Sequence, residues 1–132
     1  MPVIGFNLNS IKADVENRTL KGGLDISSTP NIKKIEKRTV LDMDVLSIGF
    51  VFETKYSPDV ATITIEGELI YKTDDMKKIL KTWKDEKKLH DDAAAEVLNI
   101  IFRRCLTKAI ALSEDINMPP PIGFPLVKPK ED

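Results

Sequence analysis

The side chains best suited to chemistry cluster around one histidine and one cysteine. His90 is followed by Asp91 and Asp92 and preceded one helical turn earlier by Glu86, an arrangement in which imidazole and carboxylates can share a proton or a metal ion. The chain holds a single histidine and a single cysteine, however, and a zinc site requires three or four convergent ligands. A helix junction with a capping aspartate is the reading we take, and no metal is expected. Cys105 falls among Ile101, Phe102 and Ala109 on a helical pattern. With no second histidine and no glycine-rich approach, it reads as a buried structural thiol, not a nucleophile. Gly22 and Gly23 have neither the spacing nor the following helix of a phosphate cradle. The lysines from Lys77 to Lys88 are read as a solvated helix face, with contact of Lys84, Lys87 and Lys88 to an acidic partner as the lesser alternative. No motif for acyl transfer, phosphoryl transfer or redox chemistry is present. The chain is therefore not expected to be an enzyme, and no cofactor is expected.

Composition narrows the remaining classes. A length of 132 residues, 42% of them hydrophobic and 31% charged, suits one soluble domain that buries about two-thirds of its unfolded surface. A net charge of -1 gives no reason to expect nucleic acid. The lone cysteine excludes an internal disulfide and suits a reducing interior. No apolar run approaches the roughly 18 residues needed to cross a bilayer, and MPVIGFNLNSIKADVE lacks the basic start and apolar run of a signal peptide. A cytoplasmic protein without membrane insertion is expected.

The elements that must position any site are organised around residues 45–71. Leu46, Ile48, Phe50, Phe52 and Tyr56 share one parity; Ala61, Ile63, Ile65, Leu69 and Tyr71 share the other; Tyr56-Ser57-Pro58-Asp59 between them is a turn signal. An antiparallel hairpin with an even-numbered loop then pairs residues whose numbers sum to about 117, so that Phe52 faces Ile65 and Ile48 faces Leu69. Both apolar sets land on one face. Ser47, Glu53, Lys55, Thr62, Thr64, Glu66 and Glu68 occupy the solvated one. A two-stranded ribbon is not stable alone, so the rest of the chain has to supply strands and a cover.

Upstream, Ile4, Phe6 and Leu8 alternate on one parity and Ile11, Ala13 and Val15 on the other, which predicts a strand with a bulge near Asn9-Ser10. Residues 24–41 predict an edge strand broken near Ser27 to Pro30, since Pro30 is not tolerated centrally. Four antiparallel strands in meander order follow from connections too short for a crossover helix. After Tyr71 the period changes. Asp74 or Asp75 is expected to cap a short helix bearing Met76, Ile79, Leu80 and Trp83, and Asp91 or Asp92 a long one running to about Ser113. The long helix carries Val97, Leu98, Ile101, Phe102, Cys105, Leu106, Ala109, Ile110 and Leu112, more than one sheet face can cover. Five prolines between Pro119 and Pro129 interrupt an apolar tail that is expected to lie along a groove to about Val127, giving a single α+β domain over residues 1–127 and a disordered tail over 128–132.

This order of elements resembles the SecB-type export chaperones. EVLNIIFRRCLTKAIALSEDINMPPPIGFPLV, residues 96–127, is similar to that family's long helix and its proline-punctuated segment; SIKADVEN, residues 10–17, resembles the end of its first strand, and VLSIGFVFETKYSPDVATITIEGELI its central hairpin. The resemblance implies a SecB-like fold with a crossover helix and a long C-terminal helix. It also implies ATP-independent binding of non-native or extended polypeptides in hydrophobic grooves, by a dimer of dimers. The family's strongly acidic surface and its C-terminal extension, both used on a secretion motor, are not matched by this nearly neutral chain.

On this reading Phe50, Phe52, Tyr56, Trp83, Ile122 and Phe124 are the candidate client-binding residues, with the plain core as the alternative place for some of them. Phe102, Leu106 and Ile110 are the candidate interface of a homo-oligomer, a two-fold dimer on symmetry grounds and a tetramer by resemblance. Two other functions stand beside this one: a structural or adaptor subunit whose apolar surfaces hold a fixed protein partner, and a small-ligand-binding protein or enzyme.

Overall fold

The computed structural model describes residues 3–19 and 22–122. Four strands precede two helices: β1 (Val3–Val15), β2 (Asp25–Val40), β3 (Met43–Ser57), β4 (Ala61–Tyr71), α1 (Met76–Glu86) and α2 (Asp91–Asp115). The strands form one antiparallel sheet in the order β1-β4-β3-β2.

The central hairpin has the expected register. Phe52 pairs with Ile65 and Ile48 with Leu69, and the same offset runs from Leu46↔Tyr71 to Tyr56↔Ala61. Both sets of large side chains therefore point to one face, where Leu46, Ile48, Phe50, Phe52, Tyr56, Ile63, Ile65, Leu69 and Tyr71 are buried. Thr54, the polar residue on that face, is also fully buried and is satisfied by the Ser28 hydroxyl at 2.8 Å.

Meander order holds from β2 to β4 but not for β1, which lies beside β4 at the far edge. The nine-residue connection from Glu16 to Leu24 is long enough to pass the ends of the two intervening strands, a distance of about 15 Å at strand spacing. The bulge near Asn9-Ser10 is present, as a register shift between Leu8↔Gly67 and Ser10↔Glu66. It switches the parity of β1, so that Phe6 and Ile11 both take core-facing partners, Leu69 and Ile65. Gly67 opposes Phe50 across the hairpin. A Cβ there would overlap the Asn7 carbonyl oxygen and meet the Phe50 ring, so the close approach of β1 requires glycine.

β2 is an edge strand, as expected, yet it is not broken at Ser27 to Pro30. Pairing with β3 is continuous through Pro30↔Phe52, and the irregularity falls instead between Ile32 and Lys34. An edge strand has only one paired side and accommodates the proline without losing its ladder. The β2–β3 turn is Leu41-Asp42, both at positive φ (48° and 63°), as a two-residue hairpin loop demands.

The helices cover the apolar face. Val97, Ile101, Cys105, Ala109 and Ser113, spaced four apart, form the fully buried ridge of α2. Asp75 is the N-cap residue of α1, as expected, though without a side-chain cap bond, whereas His90 rather than an aspartate precedes α2. α2 ends two residues beyond Ser113, where Asn117 (φ 56°) turns left-handed and Met118 N–H donates to the Ser113 carbonyl at 2.8 Å. The opposite sheet face is solvated along most of its length. Ser47 is an exception, buried beneath Glu68, whose Oε2 accepts from its hydroxyl at 2.9 Å.

Candidate functional site

Where the β2 edge passes the junction of the two helices, a groove of about 280 Å³ opens to solvent. Pro30, Asn31 and Ile32 form its strand side; Trp83, Lys87, Lys88, Leu89 and His90 come from the end of α1 and the connection; Ala94 and Leu98 come from α2. Six of these ten residues, Pro30, Ile32, Trp83, Leu89, Ala94 and Leu98, are apolar.

Local chemistry fixes the helix junction. α1 stops at Lys87, which adopts the left-handed conformation and donates its backbone N–H to the Trp83 carbonyl at 2.9 Å. Its ammonium then lies 5.6 Å from the Trp83 ring centroid, within cation–π range. His90 Nε2 and Glu86 Oε2 are 2.8 Å apart across the connection. Tyr71 donates its hydroxyl to Glu96 Oε2 at 2.9 Å, joining the end of β4 to the first turns of α2. Burial and then the Glu96 carboxylate push the Tyr71 hydroxyl up to about 12. Among the described residues no group of three or more histidine, cysteine or acidic side chains could hold a metal ion. Cys105 is fully buried in the ridge of α2, and desolvation raises its thiol to about 11, where it is a neutral packing group at physiological pH.

The sequence-expected client residues separate into three groups. Phe50, Phe52 and Tyr56 are buried at the centre of the sheet, in the core and not on a groove wall. Central-strand aromatics under a helix are the deepest positions available, which is why they differ from that expectation. Trp83 is half-buried and does line the groove. Ile122 is 43% exposed, and Phe124 lies outside the described residues, as do the expected groove path to Val127 and the tail 128–132. Tyr56 nonetheless serves the tail: its hydroxyl donates to the Pro119 carbonyl at 2.6 Å. Ile32, Leu89, Ala94 and Leu98 were not among the expected site residues. They come from three separate elements, and no local pattern distinguishes them from core.

The expected interface residues lie along one side of α2. Phe102 is 37% exposed and meets Phe52 edge-on, with centroids 5.8 Å apart and planes at 82°; Leu106 and Ile110 are half-buried. No helix among the described residues is long and apolar enough to cross a membrane.

No protein-family model matches the chain, and no curated protein matches it by sequence. A solved structure does: the SecB-like chaperone Rv1957 of Mycobacterium tuberculosis, in complex with a ChAD peptide from the Rv1956 HigA1 antitoxin, is similar with a TM-score of 0.51 and 18% identity over 97% of this chain and 91% of that one. The likeness is one of fold: a four-stranded antiparallel sheet, a short helix and a long C-terminal helix, in a SecB-like arrangement.

Proposed function

We propose that this protein binds extended segments of non-native polypeptides, without ATP, in the groove between the β2 edge and the α1–α2 junction. The observation that carries this reading is the placement of an apolar lining directly beside an edge strand. An extended peptide laid there can bond to strand backbone while its alternate side chains enter the lining. A SecB-like fold that holds a peptide in the mycobacterial chaperone supports the same use here. Trp83 and Ile122 are the expected client residues with surface to offer, whereas Phe50, Phe52 and Tyr56 are buried in the core. The role is one of binding in the cytoplasm, not of catalysis.

A homo-oligomer accompanies this function. The row Phe102, Leu106 and Ile110 is apolar and incompletely covered within one chain, and a second copy related by a two-fold axis covers it most simply. The same row favours the second reading, an adaptor in which a fixed partner occupies these surfaces. Aggregation of an unfolded model substrate separates the two: the protein suppresses light scattering without nucleotide if it holds clients, and equal scattering with and without a molar excess favours the adaptor.

A further inference from the structure

Among the described residues the charged side chains that line the groove are Lys87 and Lys88, and no aspartate or glutamate is part of that lining. Lys84, in the last turn of α1, and Lys33, at the bulge of β2, are exposed nearby in the chain on either side. Of the acids that flank this stretch in sequence, Asp85, Glu86, Asp91 and Asp92, Glu86 is engaged by His90. Among the described residues Lys84, Lys87 and Lys88 form no ion pair, while Lys34, Lys37 and Lys55 each do. Lys87 is also fixed in place, by its left-handed backbone and by the Trp83 ring beneath its ammonium.

From this we infer that the groove selects extended segments in which acidic residues flank apolar ones, and discriminates against basic segments. The inference rests on the groove being the polypeptide site and adds the client class. An apolar side chain seated against Trp83 and Leu98 places the residues two positions along, which point to the same side, about 7 Å away along the strand, so carboxylates there come within reach of Lys87 and Lys88. Lysine or arginine at the same places meets uncompensated positive charge. The pairs are exposed, so they set preference more than total affinity.

Three labelled peptides of equal length with one apolar core, flanked by aspartate, serine or lysine, test this by fluorescence anisotropy on the full-length protein. The aspartate-flanked peptide is expected to bind roughly fivefold tighter than the serine one and the lysine-flanked peptide correspondingly weaker, with the spread collapsing in high salt. The double substitution Lys87→Glu, Lys88→Glu is expected to invert the order of the aspartate- and lysine-flanked peptides. Equal affinities for all three overturn the charge selection and leave polypeptide binding standing; binding of none overturns polypeptide binding itself. A chain ending at Ile122 that binds the acidic peptide far more tightly than the full chain would assign the groove to the protein's own C-terminal residues, and overturn the client class.

Discussion

The Tyr56 hydroxyl donates to the Pro119 carbonyl at 2.6 Å, tying the central hairpin to the proline-rich segment 63 residues further along the chain. Burial raises the Tyr56 hydroxyl, with the Ser113 hydroxyl opposing that shift, so the group stays a neutral donor throughout the physiological range. Tyr56→Phe is expected to cost about 0.5–1.5 kcal/mol, the net value of one hydrogen bond. Deleting residues 118–132 should cost more, because Met118 also packs on the core. Denaturant unfolding of both variants checks this; an unchanged midpoint for the deletion contradicts it.

Gly67, on β4, leaves no room for a side chain where β1 passes it. Gly67→Ala sets a Cβ against the Asn7 carbonyl oxygen and the Phe50 ring, and should destabilise by about 1–3 kcal/mol. Gly49→Ala meets only the Lys34 side chain at 3.7 Å and backbone at 3.9 Å, and should be nearly neutral. Hydrogen exchange is expected to show β1 amides losing protection in the first variant alone.

On the solvated face the Ser47 hydroxyl, with lesser help from Arg38, holds the Glu68 carboxyl below its ordinary value. A lowered folded-state value means stability that is present at neutral pH and lost as pH falls through the carboxylate range. Ser47→Ala should therefore destabilise by roughly 1 kcal/mol near neutrality, and its deficit should shrink as the solution is acidified. A deficit independent of pH would mean that the serine acts by packing alone.

Neighbours on α2 should behave oppositely. Ile101, fully buried, should cost about 2–5 kcal/mol when changed to alanine. Phe102→Asp removes one edge-on ring contact, worth about 0.5–1.5 kcal/mol, and its larger effect is expected on assembly. Light scattering of the intact protein should give a mass above that of one chain, reduced by Phe102→Asp or Ile110→Asp. A single-chain mass for the unmodified protein would remove the self-association reading.

How much of this was legible in the sequence depends on whether a feature is local. The Phe52↔Ile65 register followed from two alternating segments and an even loop, since a slip of one residue would have turned every aromatic to water. The place of β1 did not follow. Alternation specifies which face a strand buries but not which edge it joins, and the order β1-β4-β3-β2 buries the same face that a full meander would. The break expected at Pro30 appeared at Lys33 because an edge strand tolerates proline and nothing in the pattern marks the extra residue. Trp83 was legible from helical spacing; its partners Ile32, Leu89 and Leu98 were not, because only the packed sheet and helices bring them together.

Trp83 is the chain's one tryptophan and it lines the groove, so its emission reports on the proposed site without added labels. Titrating the intact protein with an extended, apolar, aspartate-flanked peptide, while following both Trp83 emission and the anisotropy of the labelled peptide, is the most direct test of the central claim. Peptide bound at the groove should shift Trp83 emission saturably, with the same dissociation constant as the anisotropy change. Anisotropy that saturates while Trp83 emission stays constant would place the peptide elsewhere on the molecule and contradict the assignment of this groove.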